Sequence, residues 1–101
     1  MLIHSVYFWL DESLSSAQKA EFEAGMKALF SIDVVASGEI GTPAATPERP
    51  VTNNTFDYAL FLKFEKVEDH NAYQIHPDHQ VFVDNFSQWF KTVQIYDTEY
   101  A

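Results

Sequence analysis

The sequence contains no cysteine, and none of its apolar runs approaches the roughly 20 residues needed to span a bilayer. The lack of cysteine excludes disulfide bonds, thiolate nucleophiles and cysteine-ligated metal sites. The first five residues lack the basic start and the long apolar stretch that are typical of a signal peptide. We therefore expect a cytoplasmic protein.

Basic residues are also scarce, since 6 Lys and Arg stand against 15 Asp and Glu and give a formal net charge of −9. An acidic surface repels phosphate backbones and anionic lipids. We therefore expect neither nucleic acid nor a membrane surface as a partner. A serine hydrolase triad is not indicated either, because the sequence has no Gly-x-Ser-x-Gly motif.

Apolar residues are abundant, at 47% of the 101 residues, and aromatic residues alone make up 16%. A chain of this length is typical of one domain with one modest core. The sequence has no internal repeat, no low-complexity segment and no linker. We predict a single domain over residues 1–101.

Four segments have the composition of β-strands, rich in aromatic and branched residues and bounded by polar or small residues. They are residues 2–10, 32–40, 56–64 and 93–97. In the first strand, His4, Val6 and Phe8 fall on one face. Residues 41–55 contain three prolines and several small polar residues, which indicates an exposed loop.

Two segments have helical spacing of apolar residues. The first runs from about residue 15 to 30, with Ser15 and Gln18 forming a predicted capping box and Gly25 weakening the helix slightly. The second covers residues 67–90 and is interrupted at Pro77, which suits the first turn of a new helix. Its apolar stripe repeats every four residues, at Phe82, Phe86 and Phe90.

This order of elements, β-α-β-β-α-β, predicts a ferredoxin-like α+β fold with an antiparallel four-stranded sheet. The helices can cover only one face of that sheet, yet the first and third strands carry large apolar residues on both faces. A monomer rarely exposes an apolar patch above about 300–600 Å². We therefore predict a homodimer that closes a barrel around an apolar pocket.

The run Tyr-Gln-Ile-His-Pro-Asp-His at residues 73–79 resembles the Tyr-x-x-His-Pro-x-His signature of the stress-responsive A/B barrel domain (Dabb) family. The resemblance covers the whole chain and implies a dimeric α+β barrel. One plant member of the family is a polyketide cyclase that catalyses an intramolecular aldol condensation. The resemblance implies that its essential tyrosine and histidine correspond to Tyr73 and His79, and its first-strand histidine to His4.

His79 falls in the first turn of the helix that begins at Pro77, where the helix dipole favours a neutral imidazole that can serve as a general base. The adjacent Asp78 favours the imidazolium, so the direction of the pKa shift stays open. His79 also shares a helix face with Phe82 and Phe86, which indicates that it lines an apolar pocket. The alternative is a structural role in capping backbone groups at the helix break.

Tyr73 lies on the other side of the break, and its phenol could donate a hydrogen bond to a developing enolate. The alternative is a packed ring with one buried hydrogen bond. His76, before Pro77, is predicted to cap the second helix, and His4 is either a ligand contact or a buried core histidine. We predict Tyr73 and His79 as catalytic residues. The predicted ligand-binding residues are His4, Phe82 and Phe86.

The histidines do not have the spacing of metal ligands. His76 and His79 are separated by a proline, and the sequence contains neither a Glu-x-x-His pair nor a His-x-x-x-His motif. We predict no metal site and no cofactor.

Three functions are compatible with these residues, and they leave open whether the protein is an enzyme. The first is an apolar pocket that binds a small carbonyl-bearing or aromatic molecule. The second is a stress-associated binding or assembly module without catalysis. The third is an enzyme similar to a polyketide cyclase or to a cofactor-free monooxygenase. What separates the catalytic from the non-catalytic functions is whether Tyr73 and His79 point into a connected cavity.

Overall fold

The computed structural model describes residues 1–101 and arranges them as a four-stranded antiparallel sheet with helices on one face. The strand order across the sheet is β2-β3-β1-β4. The predicted ferredoxin-like α+β fold is confirmed. The elements are β1 Leu2–Leu10, α1 Ser16–Leu29, β2 Ser37–Gly41, β3 Tyr58–Phe64, α2 Val67–Gln74, α3 Pro77–Phe86, a short 3-10 turn at Ser87–Trp89, and β4 Phe90–Glu99.

β1 is the central strand, and its side chains alternate between the helix-covered face and the open face of the sheet. The even-numbered residues of β1 are buried and the odd-numbered ones are partly exposed, as the sequence predicts. In the antiparallel register, His4 lies opposite Leu62 on β3 and opposite Asp97 on β4. Because directly opposed residues share a face, this register brings His4 and Asp97 together.

Local hydrogen bonds fix both helix starts that the sequence predicts. Ser15 accepts from the Gln18 backbone while the Gln18 side chain accepts from the Ser15 backbone, which is the expected capping box. At the second break, Pro77 is the first residue of α3, and the His76 imidazole accepts from the Asp78 backbone at 3.0 Å. The predicted capping role of His76 is confirmed.

The second and last strands differ from their predicted bounds. β2 begins only at Ser37, because residues 31–36 form turns that follow α1, and the apolar residues Ile32 and Val35 reach the core from these turns. Phe90 is the first residue of β4 rather than part of a helical stripe, and its ring packs against Phe8 with ring centroids 5.1 Å apart. β4 extends to Glu99 because it pairs with β1 over the whole length of that strand.

The core lies between the sheet and the helices and is rich in aromatic rings. Phe22 on α1 is fully buried at its centre, with its ring centroid 5.1 Å from that of Phe8 and 5.5 Å from that of Phe86. Such edge-on and tilted ring pairs add to the free energy gained by burying apolar area. None of the helices has the length and hydropathy that crossing a membrane would require.

The open face of the sheet is covered only in part. Residues 42–57 contain no helix or strand, which agrees with the loop predicted over 41–55 except that Gly41 ends β2 and that Phe56 and Asp57 precede β3 instead of starting it. The loop lays Phe56 against Tyr7 with ring centroids 5.0 Å apart. Phe61 and Tyr96 also lie near Tyr7, at centroid distances of 6.0 and 6.3 Å. These four rings form a half-covered aromatic surface on the side of the sheet that faces away from the helices.

Candidate functional site

Imidazole and phenol rings from three elements meet on the helix-covered side of the sheet. The ring centroids of Tyr73 on α2 and His79 on α3 are 4.8 Å apart. His4 on β1 lies 6.0 Å from Tyr73 and 4.9 Å from His70 on α2. The structure therefore brings together the three residues His4, Tyr73 and His79 that the sequence analysis selected.

The break between α2 and α3 creates this arrangement. α2 ends just after Tyr73, where the His76 backbone N–H donates to the Tyr73 carbonyl at 3.1 Å. Pro77 then begins α3, because its fixed backbone angle suits the first helical position. Tyr73 therefore lies in the last turn of one helix and His79 in the first turn of the next, and their rings face each other across the corner.

Tyr73 is almost fully enclosed, with only 2% of its surface exposed. Burial raises the pKa of its hydroxyl well above the usual range, and no hydrogen bond within the chain opposes this shift. The phenol is therefore protonated at neutral pH and can donate a hydrogen bond. Phe64 packs on the Tyr73 ring at a centroid distance of 5.3 Å and holds it in place.

The pKa of His79 is lowered from its usual value, chiefly because the half-buried ring is desolvated. The nearby imidazoles of His4 and His70 lower it further, while the Gln74 backbone raises it. Asp78 does not oppose the shift, and its carboxylate lies 3.9 Å from the His76 ring instead. His79 is therefore neutral at pH 7, the form that a general base needs.

His4 is buried and paired with a carboxylate. Its Nδ1 lies 2.5 Å from Asp97 Oδ1. Burial lowers the pKa of His4, and the hydrogen bond to Asp97 raises it without reversing that direction. The neutral ring therefore donates its Nδ1–H to the carboxylate, because an ionised carboxylate can only accept.

His70 and Asp97 belong to the same cluster, and the sequence analysis missed both. His70 Nε2 lies 3.8 Å from Asp97 Oδ2, is buried, and has no hydrogen-bond partner. With His4, these residues form a two-histidine, one-carboxylate group. Positions 4, 70 and 97 lie on β1, α2 and β4, so no local spacing motif could reveal the group.

Phe82 and Phe86, the other two predicted ligand-binding residues, are part of the aromatic core. Both rings pack around Phe22 in the aromatic core, at centroid distances of 5.7 and 5.5 Å. They also line a groove of about 390 Å³ between α1 and α3, together with Gly25 and Val81. These contacts make them core residues of the protomer.

A further cavity of about 420 Å³ lies on the open face of the sheet, away from the His4, Tyr73 and His79 cluster. Its walls are the aromatic surface of that face together with polar residues of the 42–57 loop. The lining residues are Tyr7, Gly41, Thr42, Ala44, Asn53, Asn54, Phe56, Ala59, Phe61 and Tyr96.

Comparisons with known proteins agree with the fold. Residues 2–100 match the family model described as "Stress responsive A/B Barrel Domain". A protein of Arabidopsis thaliana has a similar structure, with 18% identity, a TM-score of 0.84 and coverage of 100% of this chain and 96% of that one. A comparison with curated protein sequences finds no match.

Two other solved structures extend the comparison. A hydroxynitrile lyase from Passiflora edulis is 18% identical, with a TM-score of 0.83 over 99% of this chain and 93% of that one. A protein of unknown function from Thermobifida fusca, described as dimeric and ferredoxin-like, is 15% identical, with a TM-score of 0.79 over 98% of this chain and 90% of that one. At these identities the similarity establishes the fold.

Proposed function

The chain belongs to the stress-responsive A/B barrel domain family, and from this premise we propose that it binds a small carbonyl-bearing molecule beside Tyr73 and His79. The observation that supports the proposal most directly is the contact between these two rings, 4.8 Å apart at the corner between α2 and α3. One ring carries a hydrogen-bond donor and the other a basic nitrogen.

This pair suits proton abstraction next to a carbonyl group. His79 takes a proton from the carbon adjacent to the carbonyl, and the electron pair of the broken C–H bond moves to the carbonyl oxygen. Tyr73 donates its hydroxyl hydrogen to that oxygen as negative charge develops on it. The resulting enolate can then attack a second carbonyl, as in an aldol condensation. No metal or cofactor is needed for this step.

Access to the pair is from the His79 side, because His79 is half-buried whereas His4 and Tyr73 are buried. Apolar neighbours such as Phe64 favour an aromatic or aliphatic ligand over a highly charged one. The Passiflora edulis protein of the same fold is described as a hydroxynitrile lyase. That description supports the idea that this fold can act on small molecules.

A binding role without catalysis is the second candidate. The 2% exposure of Tyr73 favours it, since so little of the residue is open to a ligand. The protein would then hold a small molecule or serve in assembly, and the Tyr73–His79 contact would stabilise the helix corner.

We infer that the functional protein is a homodimer. The open face of the sheet carries the aromatic surface of Tyr7, Phe56, Phe61 and Tyr96, which an isolated protomer leaves half-covered. A second copy with the same surface is the simplest cover for it. Structures of this fold are described as dimeric, which supports the inference.

The experiment measures enolate formation directly. The protein is incubated with an aryl methyl ketone in D2O, and exchange of the methyl protons for deuterium is followed by NMR. We expect the wild-type protein to accelerate exchange, and Tyr73→Phe and His79→Ala each to remove most of that acceleration. The double variant should be little slower than the slower single variant, because residues that act as a unit are not additive.

Tyr100→Phe is the matched control, since it changes a tyrosine outside the pair and should keep the exchange rate. His76→Asn changes a histidine outside the pair while keeping a side-chain oxygen that can cap α3, so it should keep the rate as well. Ketone binding without exchange, lost in Tyr73→Phe, would favour the non-catalytic candidate. Binding and exchange that survive both Tyr73→Phe and His79→Ala would show that the pair is only structural. Circular dichroism and thermal unfolding verify that each variant is folded.

A further inference from the structure

The side chains of His4, His70 and Asp97 form a cluster beside Tyr73 and His79, and none of them supplies a reacting atom in the proposed proton abstraction. One ligand atom from each of the three lies within 4.8 Å of the others. We propose that this cluster binds a divalent transition-metal ion, such as Zn²⁺, through the two imidazoles and the carboxylate.

The donor set and the distances fit such an ion. Two imidazole nitrogens and one carboxylate oxygen are common ligands of catalytic zinc and of other divalent transition metals. With metal–ligand bonds of about 2.0–2.2 Å, tetrahedral ligands lie about 3.3 Å apart. The separations of Asp97 oxygens from His4 Nδ1 and from His70 Nε2 are 2.5 and 3.8 Å. The first separation is to Oδ1 and the second to Oδ2, and one is shorter and the other longer than about 3.3 Å, so the side chains must shift to place all three ligands around one ion.

The strongest indication comes from His70. Its Nδ1 lies 3.1 Å from the Asn71 side-chain oxygen, and in the tautomer that makes this hydrogen bond Nδ1 carries the proton. Nε2 then presents a lone pair, and this buried nitrogen has no partner. The lone pair instead faces the Asp97 carboxylate, which is also an acceptor. A cation between these two acceptors would satisfy both, and the bond to Asn71 would orient the ring as outer partners of metal ligands do.

Water access, strand register and net charge also favour a bound cation at this cluster. The side chain of Asp97 is 41% exposed, so water can reach the ion and complete its coordination. The β1–β4 register holds His4 and Asp97 opposite each other before any ion arrives. When the ion binds at His4 Nδ1, the proton of that nitrogen moves to Nε2, so that the ring stays neutral. The net charge of −9 favours the approach of a cation.

This site does not depend on the proposed ketone chemistry, since it uses neither Tyr73 nor His79. Its test therefore contains no organic ligand. Isothermal titration calorimetry of the metal-free protein with ZnCl2 should show one ion per chain with a dissociation constant in the micromolar range or tighter. His70→Ala and Asp97→Asn should each weaken this binding at least about tenfold, as expected for removing a direct ligand.

His76→Gln is the control, because His76 and Asp78 form a histidine–carboxylate pair on the surface and should leave the affinity unchanged. In the wild-type protein, NMR should show imidazole resonances of His4 and His70 that shift with Zn²⁺ while those of His76 do not. This readout requires no variant to fold. Absent binding, binding unchanged in both His70→Ala and Asp97→Asn, or binding lost only in His76→Gln would each overturn the proposal.

Discussion

At the scale of single residues, the ionisation of His79 depends on what surrounds it rather than on its sequence neighbours. The adjacent Asp78 suggests a raised pKa, but the structure points that carboxylate toward His76. Burial then dominates, and the two other imidazoles that face His79, from His4 on β1 and His70 on α2, act in the same direction. A neutral base follows from packing, which sequence spacing does not specify.

We predict that the His79 imidazole titrates below its ordinary value of about 6.5, measured by NMR in buffer with a metal chelator. Between the lowered pKa of the folded state and about 6.5, the unfolded chain binds more protons than the folded chain. The free energy of unfolding should therefore rise with pH across this window and fall as the solution becomes more acidic.

His79→Gln is the matched variant for this prediction, because it keeps a polar side chain without the titrating group. The pH dependence of stability in that window should become weaker in the variant. A pKa distinctly above 6.5 in the wild-type protein would instead indicate a stabilised imidazolium, and His79 would not serve as a neutral base at pH 7.

At the scale of elements, the contact between α1 and α3 explains why a glycine stands inside a helix. Gly25 lies in the middle of α1, where glycine is unfavourable by about 0.5–1 kcal/mol relative to alanine. A Cβ at this position would overlap Cε2 of the Phe86 ring. Phe86 is itself buried among other rings, so it has little room to move. The glycine therefore lets the two helices pack closely.

We predict that Gly25→Ala lowers the free energy of unfolding by about 1–2 kcal/mol, despite the higher helix propensity of alanine, because overpacking outweighs that gain. Urea denaturation measures the change. Gly41→Ala is the control, since a Cβ there meets nothing within 4 Å and should alter stability by less than about 0.5 kcal/mol. A Gly25→Ala variant that is more stable than the wild-type protein would contradict the packing explanation.

At the scale of the whole molecule, the two faces of β3 differ in what covers their side chains. Leu62 points to the helices and is fully buried, whereas Phe61 points to the open face and is only partly covered. The sequence shows apolar residues on both faces but does not assign either face to a partner. The structure assigns Leu62 to the core of the protomer, which leaves Phe61 on the face where we propose that a second copy binds.

We predict that Phe61→Asp converts the homodimer to a folded monomer, measured by sedimentation equilibrium at micromolar concentration. The physical reason is that an unpaired charge in an apolar interface costs several kcal/mol. Leu62→Asp should instead unfold the protomer. Val81→Asp, at an exposed position on the outer side of α3, should remain dimeric. A wild-type protein that sediments as a folded monomer would contradict the dimer.

Much of the fold follows from local signals that the sequence displays directly. Alternation of apolar residues defines β1, the Ser15–Gln18 capping box starts α1, and Pro77 separates α2 from α3. These signals depend on neighbours within a few residues, so they can be recognised in the sequence without the tertiary structure. The predicted start of β2 was wrong for the opposite reason. Ile32 and Val35 look like strand residues, but they fill the core from turns.

For the candidate site, the sequence by itself selected Tyr73, His79 and His4 through the resemblance of residues 73–79 to the family signature, and local signals place the first two beside a helix break and the third on a strand. Only the tertiary structure decided that these three rings meet and that Phe82 and Phe86 belong to the aromatic core. It also joined His70 and Asp97 to His4, across 66 and 93 positions of the chain. The physical reason is that strand register and helix packing create neighbours at long range, which no local pattern can specify.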